Sequence, residues 1–161
     1  MNELESLYQQ IILDAARERY GEGEITEGTH KSSGHGCSHQ VNPSCGDEVT
    51  MQVQLSSDGE RLEEIVWEGQ GCSISQASIS IMTEMLEGAS VEESQKLYDT
   101  FKAMMESRGE QMSDDELDLL EDAAAFQGVS QFPMRIKCAL LGWIAMRDAT
   151  NQARVSGDNE I

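Results

Sequence analysis

Three cysteines and one aspartate are the residues of this 161-residue chain whose types and spacing most clearly indicate chemistry. They lie in three separated runs: residues 42–47 (NPSCGD), 69–75 (GQGCSIS) and 135–143 (RIKCALLGW). Three thiols and one carboxylate make up a complete tetrahedral ligand set for zinc. The residues that supply it are Cys45, Asp47, Cys72 and Cys138. Because none of the three cysteines belongs to a Cys-x-x-Cys pair, the fold must bring these ligands together from distant segments.

A β-hairpin is predicted between the first two runs. Apolar and polar residues alternate over 49–55, residues 57–59 (SDG) are typical of a tight turn, and residues 62–67 form the returning strand. In an antiparallel pair, the start of the first strand lies beside the end of the second. The hairpin therefore places the first cysteine run and Cys72 at the same end of the sheet.

Five helices are predicted from apolar periodicity and capping signals. The first covers the region before Gly21, and the second follows Cys72 and ends near Gly88. The third and fourth open with capping boxes, and Pro133 suits the first turn of the last. The capping pairs are Ser90 with Glu93 and Ser113 with Glu116, and the fourth helix is predicted to extend through Ala124. Cys72 then lies at one helix start and Cys138 in the first turns of another.

The predicted fold class is α+β, a small antiparallel sheet of about three strands packed by helices. One domain is expected over residues 1–152, followed by a polar C-terminal tail over 153–161. Residues 21–44 lack periodicity and are predicted to form a loop with one short strand leading to Val41.

Charge and hydropathy exclude several classes of function. The formal net charge of -19 would repel a phosphate backbone or an anionic membrane, so no nucleic-acid or membrane partner is expected. No apolar run is long enough to cross a bilayer, and the first residues do not resemble a signal peptide. A cytoplasmic location is expected, where thiols stay reduced and favour metal binding or catalysis over disulfides.

Each cysteine considered alone could be a small buried hydrophobic residue. As a set with Asp47, they lie at element ends instead of on apolar faces, which favours a metal site. Glycines support this interpretation, since Gly46 permits a sharp turn and both Gly69 and Gly71 permit close backbone approach.

A second group of possible ligands lies in the glycine- and serine-rich region before the first run. Its members are His30, His35, Cys37 and His39. Their spacing matches no defined metal site, and a mobile polar loop near the main site explains them more simply. Cys37 could alternatively act as a secondary thiol near Cys45.

The three cysteine runs resemble those of the U-type iron–sulfur cluster assembly proteins, specifically the SufU branch. The resemblance extends over nearly the whole chain, from the N-terminal helix to Trp143, and implies a SufE/NifU-like fold. Lys137 stands before Cys138 where the scaffold branch, IscU, has histidine. An additional helical stretch, about 97–111, also favours the SufU branch.

This resemblance implies a zinc-dependent sulfurtransferase with one zinc ion per chain, held by Cys45, Asp47, Cys72 and Cys138. Cys45 would accept persulfide sulfur from a PLP-dependent cysteine desulfurase, SufS, and pass it to a SufBCD-type assembly complex. Arg135 matches a family arginine near the metal. It precedes Cys138 by one helical turn and could offset the negative charge of the zinc–ligand set, although an ordinary surface ion pair is the alternative.

Two other functions remain open from the sequence. The same ligands could hold iron as a [2Fe–2S] cluster, which would make the chain a non-enzymatic scaffold. A structural zinc domain acting as an adaptor would instead need a closed and inert site.

Overall fold

The computed structural model describes residues 3–25, 34–44, 46–110 and 112–158, with side chains through residue 155. An N-terminal helix precedes a three-stranded sheet, and the remaining helices follow the sheet. The elements are α1 (Glu3–Glu18), β1 (His35–Asn42), β2 (Asp47–Leu55), β3 (Leu62–Gln70), α2 (Ser73–Leu86), α3 (Val91–Glu106), α4 (Asp114–Leu120), a 3₁₀ segment (Glu121–Gln131) and α5 (Pro133–Asp158). The predicted α+β class with three antiparallel strands is confirmed.

The central strand β2 pairs antiparallel with β1 on one side and β3 on the other. Its predicted apolar face is confirmed, since Val49, Met51 and Val53 are fully buried. The helix α5 packs across β1 and β2.

In the turn after β2, the Ser56 hydroxyl donates to the Asp58 carboxylate at 2.5 Å and holds the pKa of that group below its usual value. The predicted hairpin is therefore present, and its open end lies at Asp47.

The predicted short strand leading to Val41 is present as β1, and it is longer than expected because it covers the eight residues 35–42. The full length of this strand is hard to predict because two of its core-facing positions, Gly36 and Ser38, carry small residues instead of large apolar ones. A Cβ atom on Gly36 would lie 1.9 Å from the carbonyl oxygen of Ala149 on α5. Gly36 and Ser38 are buried, and their small size lets α5 lie close to the sheet. His30, a member of the second group of possible ligands, lies outside the described residues.

Both predicted helix caps are present. Ser90 accepts a hydrogen bond from the Glu93 backbone N–H at 3.0 Å, and Ser113 forms the full reciprocal capping box with Glu116. The predicted extension of the fourth helix through Ala124 is wrong. Glu121 has a positive φ of 49°, which ends the α-helical path at Leu120 and begins the 3₁₀ segment.

A buried contact between α2 and α5 sets the relative positions of two candidate ligands. Ser78 on α2 donates to the Ala139 carbonyl oxygen at 2.7 Å and accepts from Trp143 Nε1 at 3.1 Å. Both partners of Ser78 lie on α5, and Trp143 is fully buried and stacked on Phe101 at 4.5 Å. These bonds hold the start of α2 near the start of α5.

The C-terminal helix α5 continues to Asp158, through residues that the sequence analysis assigned to a polar tail. The domain boundary at residue 152 stays a prediction. Within the described ranges, no helix has the length and apolar character that a bilayer crossing requires.

Candidate metal centre

Three of the four predicted metal ligands come together at one end of the sheet. The ligand atoms of Asp47, Cys72 and Cys138 all lie within 4.8 Å of one another. Asp47 is the first residue of β2, Cys72 is the N-cap residue of α2, and Cys138 lies in the second turn of α5. The convergence predicted from hairpin topology and helix starts is therefore observed for these three residues.

The Asp47 carboxylate is fully buried and forms a link to Cys72. Its Oδ1 atom accepts a hydrogen bond from the Cys72 backbone N–H at 2.9 Å, while Oδ2 lies 3.6 Å from Cys72 Sγ. One carboxylate oxygen thus anchors the backbone before α2 and the other faces the thiol. Burying a carboxylate is costly without such partners, so the link also stabilises Asp47 in its position.

Burial differs among the three side chains. Asp47 and Cys138 are buried, whereas Cys72 is exposed. The thiol of Cys138 donates to the Met134 carbonyl oxygen at 3.6 Å, within the first turns of α5. The cluster therefore has a protein-covered side and a side that faces solvent at Cys72.

The donor set and its spacing fit a zinc ion. Tetrahedral zinc with bonds of about 2.3 Å to sulfur and about 2.0 Å to oxygen gives ligand–ligand separations of about 3.5–3.8 Å. The 3.6 Å between Cys72 Sγ and Asp47 Oδ2 already has this value. The upper limit of 4.8 Å for the remaining separations exceeds it by about 1 Å, which side-chain rotation can close.

A model of the NifU-like N-terminal domain matches residues 7–139, which include all four predicted ligands. The chain belongs to the NifU-like N-terminal domain family. It is 36% identical over 156 residues to the zinc-dependent sulfurtransferase SufU of Bacillus subtilis, covering 97% of this chain and 96% of that protein. It is 32% identical to the iron–sulfur cluster assembly scaffold protein IscU of Streptococcus pyogenes, covering 95% and 88%.

Solved structures show the same NifU-like fold. A protein from Fervidobacterium islandicum, assigned as an iron–sulfur cluster assembly scaffold for the SUF system, superposes with a TM-score of 0.70 at 28% identity, covering 90% of this chain and 97% of that one. A NifU-like N-terminal domain from Brucella abortus superposes with a TM-score of 0.76 over 96% and 99%, and at 21% identity it supports the fold alone.

Cys45, the fourth predicted ligand of this NifU-like chain, lies outside the described residues. It is separated from Asp47 by one residue, so covalent geometry limits the distance between their Cα atoms to about 7 Å. The neighbouring Gly46 has a positive φ of 74°, as the predicted sharp turn requires. The assignment of Cys45 as a ligand stays a prediction.

Arg135 lies one helical turn before Cys138 on α5. Its guanidinium group lies over the Phe132 ring, 4.9 Å from the centroid. Among the described residues it has no carboxylate within ion-pair distance, so the surface ion pair considered as an alternative is not formed there. Arg135 and Ser73, the chain neighbour of Cys72, line a groove of about 670 Å³. The role of Arg135 stays a prediction.

The second group of possible ligands lies on the other face of the sheet. On β1, the residues that alternate with His35, Cys37 and His39 lie on the same sheet face as Asp47, because Asn42 pairs with Asp47. His35, Cys37 and His39 therefore lie on the opposite face. His39 Nδ1 is 2.8 Å from Thr50 Oγ1 and Nε2 is 3.9 Å from Glu48. The interpretation as a mobile loop near the main site is wrong for these three residues, because they belong to the paired strand β1 and their side chains lie on the sheet face opposite Asp47.

Ser75 lies in the second cysteine run, and its contacts with Cys72 were not predicted from the sequence. Ser75 is fully buried, its hydroxyl donates to the Cys72 carbonyl oxygen at 3.0 Å, and its Oγ lies 4.0 Å from Cys72 Sγ. The only available signal was a hydroxyl three residues after the helix N-cap, a position where serine commonly bonds local backbone.

The glycine before Cys72 leaves room for the Asp47 carboxylate. A Cβ atom at Gly71 would lie 2.3 Å from Asp47 Oδ1 and 2.7 Å from Ser75 Oγ. We expect Gly71→Ala to displace the carboxylate and lower zinc affinity about tenfold or more, the effect typical of disturbed ligand orientation. Competition with a chromogenic chelator measures this change. Gly128→Ala is the control because its Cβ would meet nothing within 4 Å, and equal affinities for the two variants would contradict the prediction.

Proposed function

We propose that this NifU-like chain is a zinc-dependent sulfurtransferase in iron–sulfur cluster assembly. The observation that supports it most directly is the convergence of Asp47, Cys72 and Cys138 within 4.8 Å from three distant segments. The relative named as a zinc-dependent sulfurtransferase covers nearly the whole chain at 36% identity, which supports the same activity. The proposed donor is a PLP-dependent cysteine desulfurase, SufS, and the proposed recipient is a SufBCD-type complex.

Zinc, when bound, would stabilise the thiolate forms of its cysteine ligands at neutral pH. Asp47, Cys72 and Cys138 would hold it, with Cys45 as the fourth ligand and the sulfur acceptor. Asp47 also orients the start of α2 through its bond to the Cys72 backbone N–H. The fixed part of the site is therefore the buried pair of Asp47 and Cys138 together with the anchored Cys72.

The proposed transfer balances without an oxidant or reductant. The Cys45 thiolate attacks the terminal sulfur of the donor's cysteine persulfide, and a new sulfur–sulfur bond forms at Cys45 Sγ. The sulfur–sulfur bond of the donor breaks, and the donor cysteine leaves as a thiolate. The persulfide proton passes with the terminal sulfur, so the products are a Cys45 persulfide and a donor thiolate.

The burial pattern favours an exchangeable site over an inert structural one. An inert structural centre would keep its ligands covered, whereas here Cys72 is exposed and its chain neighbour Ser73 lines a groove together with Arg135. A docked donor protein could therefore approach this edge. The reaction requires reduced thiols, which the cytoplasm maintains, and we propose that compartment.

A [2Fe–2S] scaffold is the second candidate, favoured by the 32% identity to a protein named as the scaffold IscU. The same thiolates and carboxylate could bind iron. Lys137, which stands where the scaffold branch has histidine, argues for the sulfurtransferase because it removes one neutral nitrogen donor beside Cys138.

Metal content and colour separate the two candidates. We expect purified protein to be colourless, to contain one zinc ion per chain, and to remain colourless after anaerobic incubation with ferrous iron and sulfide. A brown product with stable sulfur-to-iron absorption and no retained zinc would support the scaffold instead.

A further inference from the structure

Arg19 occupies a backbone conformation that usually belongs to glycine. The helix α1 ends at Glu18, and Arg19 follows it with a positive φ of 49°. Glycine is the common residue at this position after a helix, because a side chain is strained in the left-handed region. An arginine here suggests that its side chain offers a compensating contact.

The guanidinium group of Arg19 contacts the two segments on either side of Cys72. Its Nη2 donates to the carbonyl oxygen of Gly69 at 3.0 Å, and Nη1 donates to Oε1 of Gln76. The group lies over the Trp67 ring, 5.1 Å from the centroid, and pairs with Glu22. A planar guanidinium can satisfy these partners at once, which a single ammonium group cannot do.

These contacts reach Cys72 through a short series of hydrogen bonds. Gly69 precedes Cys72 by three residues, and the buried Gln76 follows it by four. The Gln76 backbone N–H donates to the Cys72 carbonyl oxygen at 3.1 Å, and the Gln76 side chain donates to Ser75 Oγ at 3.5 Å. The Ser75 hydroxyl in turn donates to the same carbonyl oxygen. Arg19 therefore bridges the two ends of the segment 69–76, which carries the exposed ligand.

We propose that Arg19 is a positioning residue that holds segment 69–76 in place, so that Cys72 faces Asp47 and Cys138. The effect of Arg19 on zinc binding rests on the proposed function, whereas its effect on the order of segment 69–76 does not. Cys72 is the exposed member of the cluster. The contacts of Arg19 would order this ligand before a metal ion or a partner binds.

The test compares Arg19→Gly with Arg108→Gly. Arg108 follows α3 with a positive φ of 55° and, within the described residues, its side chain makes no hydrogen bond or ion pair. Glycine relieves the same backbone strain at both positions. We expect the rate of amide hydrogen exchange in segment 69–76 to rise about tenfold or more in Arg19→Gly and to stay unchanged in Arg108→Gly. A tenfold rise is the smallest effect expected from the loss of a hydrogen bond made by a charged group. Unchanged exchange in both variants would overturn the proposal.

Arg19→Lys provides a second variant in case the glycine variant does not fold. Lysine keeps the charge but lacks the fork, so we expect an intermediate rise in exchange over the same segment. In both Arg19 variants the absorption spectrum of the Co²⁺-substituted protein should shift, since it reports ligand geometry, and Arg108→Gly should match the wild type. If the wild type binds no zinc or Co²⁺, the proposed function fails, and the exchange comparison still decides the role of Arg19. Wild-type exchange in Arg19→Lys, when Arg19→Gly does not fold, would overturn it.

Discussion

Replacing Cys45 with alanine is expected to abolish sulfur acceptance from the desulfurase. The proposed transfer forms its new bond at Cys45 Sγ, and alanine has no nucleophilic atom to replace it. The measurement is mass spectrometry of the chain after anaerobic incubation with desulfurase and cysteine. The wild type should gain the mass of one sulfur atom on the peptide that contains Cys45, and Cys45→Ala should gain none.

Cys37→Ala is the matched control for this prediction. Cys37 lies on β1, on the sheet face opposite Asp47, and it is not among the three clustered ligands. Its replacement should leave the transferred sulfur unchanged. A Cys45→Ala chain that still carries persulfide, or a Cys37→Ala chain that loses it, would contradict the assignment of Cys45 as acceptor.

Replacing Cys138 with alanine is expected to remove most of the zinc affinity, by about 100-fold or more. Cys138 is a buried cluster member, and the described residues place no fourth Cys, His, Asp or Glu donor within the same radius. Zinc that binds the folded chain raises its thermal stability, so the increase in Tm on zinc addition should also disappear. Zinc analysis after dialysis and paired melting curves with and without zinc measure both effects.

The folded state itself should survive this substitution, because alanine at position 138 removes only one sulfur atom from a buried position in the second turn of α5. The Tm of metal-free Cys138→Ala should therefore lie close to that of the metal-free wild type. Full zinc retention by Cys138→Ala would show that this thiol is not a ligand.

The sequence predicted the elements whose signals are local. The alternation over β2 and the serine caps of α3 and α4 depend on neighbouring residues, and the structure confirms them. The convergence of Asp47, Cys72 and Cys138 could also be predicted, because an antiparallel hairpin and two helix starts restrict where these residues can lie.

The elements that the sequence did not predict depend on tertiary contacts. The short strand leading to Val41 was predicted, but the full length of β1 was not, since Gly36 is small to admit the backbone of α5 and the strand shows little apolar alternation. The change from α4 to the 3₁₀ segment follows from the positive φ of Glu121, a residue with no special turn propensity. Arg19 carries no motif, and its contacts with Gly69 and Gln76 emerge only when α1 packs beside α2.

The proposed function requires that the zinc-loaded chain accepts sulfur from a cysteine desulfurase. The most direct measurement is alanine production by the desulfurase in iron-free buffer, with excess cysteine and a reductant, before and after addition of the zinc-loaded protein. We expect a large rise in turnover that is absent with Cys45→Ala and retained with Cys37→Ala. No rise with the wild type, together with stable brown cluster formation once iron is supplied, would rule out the sulfurtransferase and support the scaffold function.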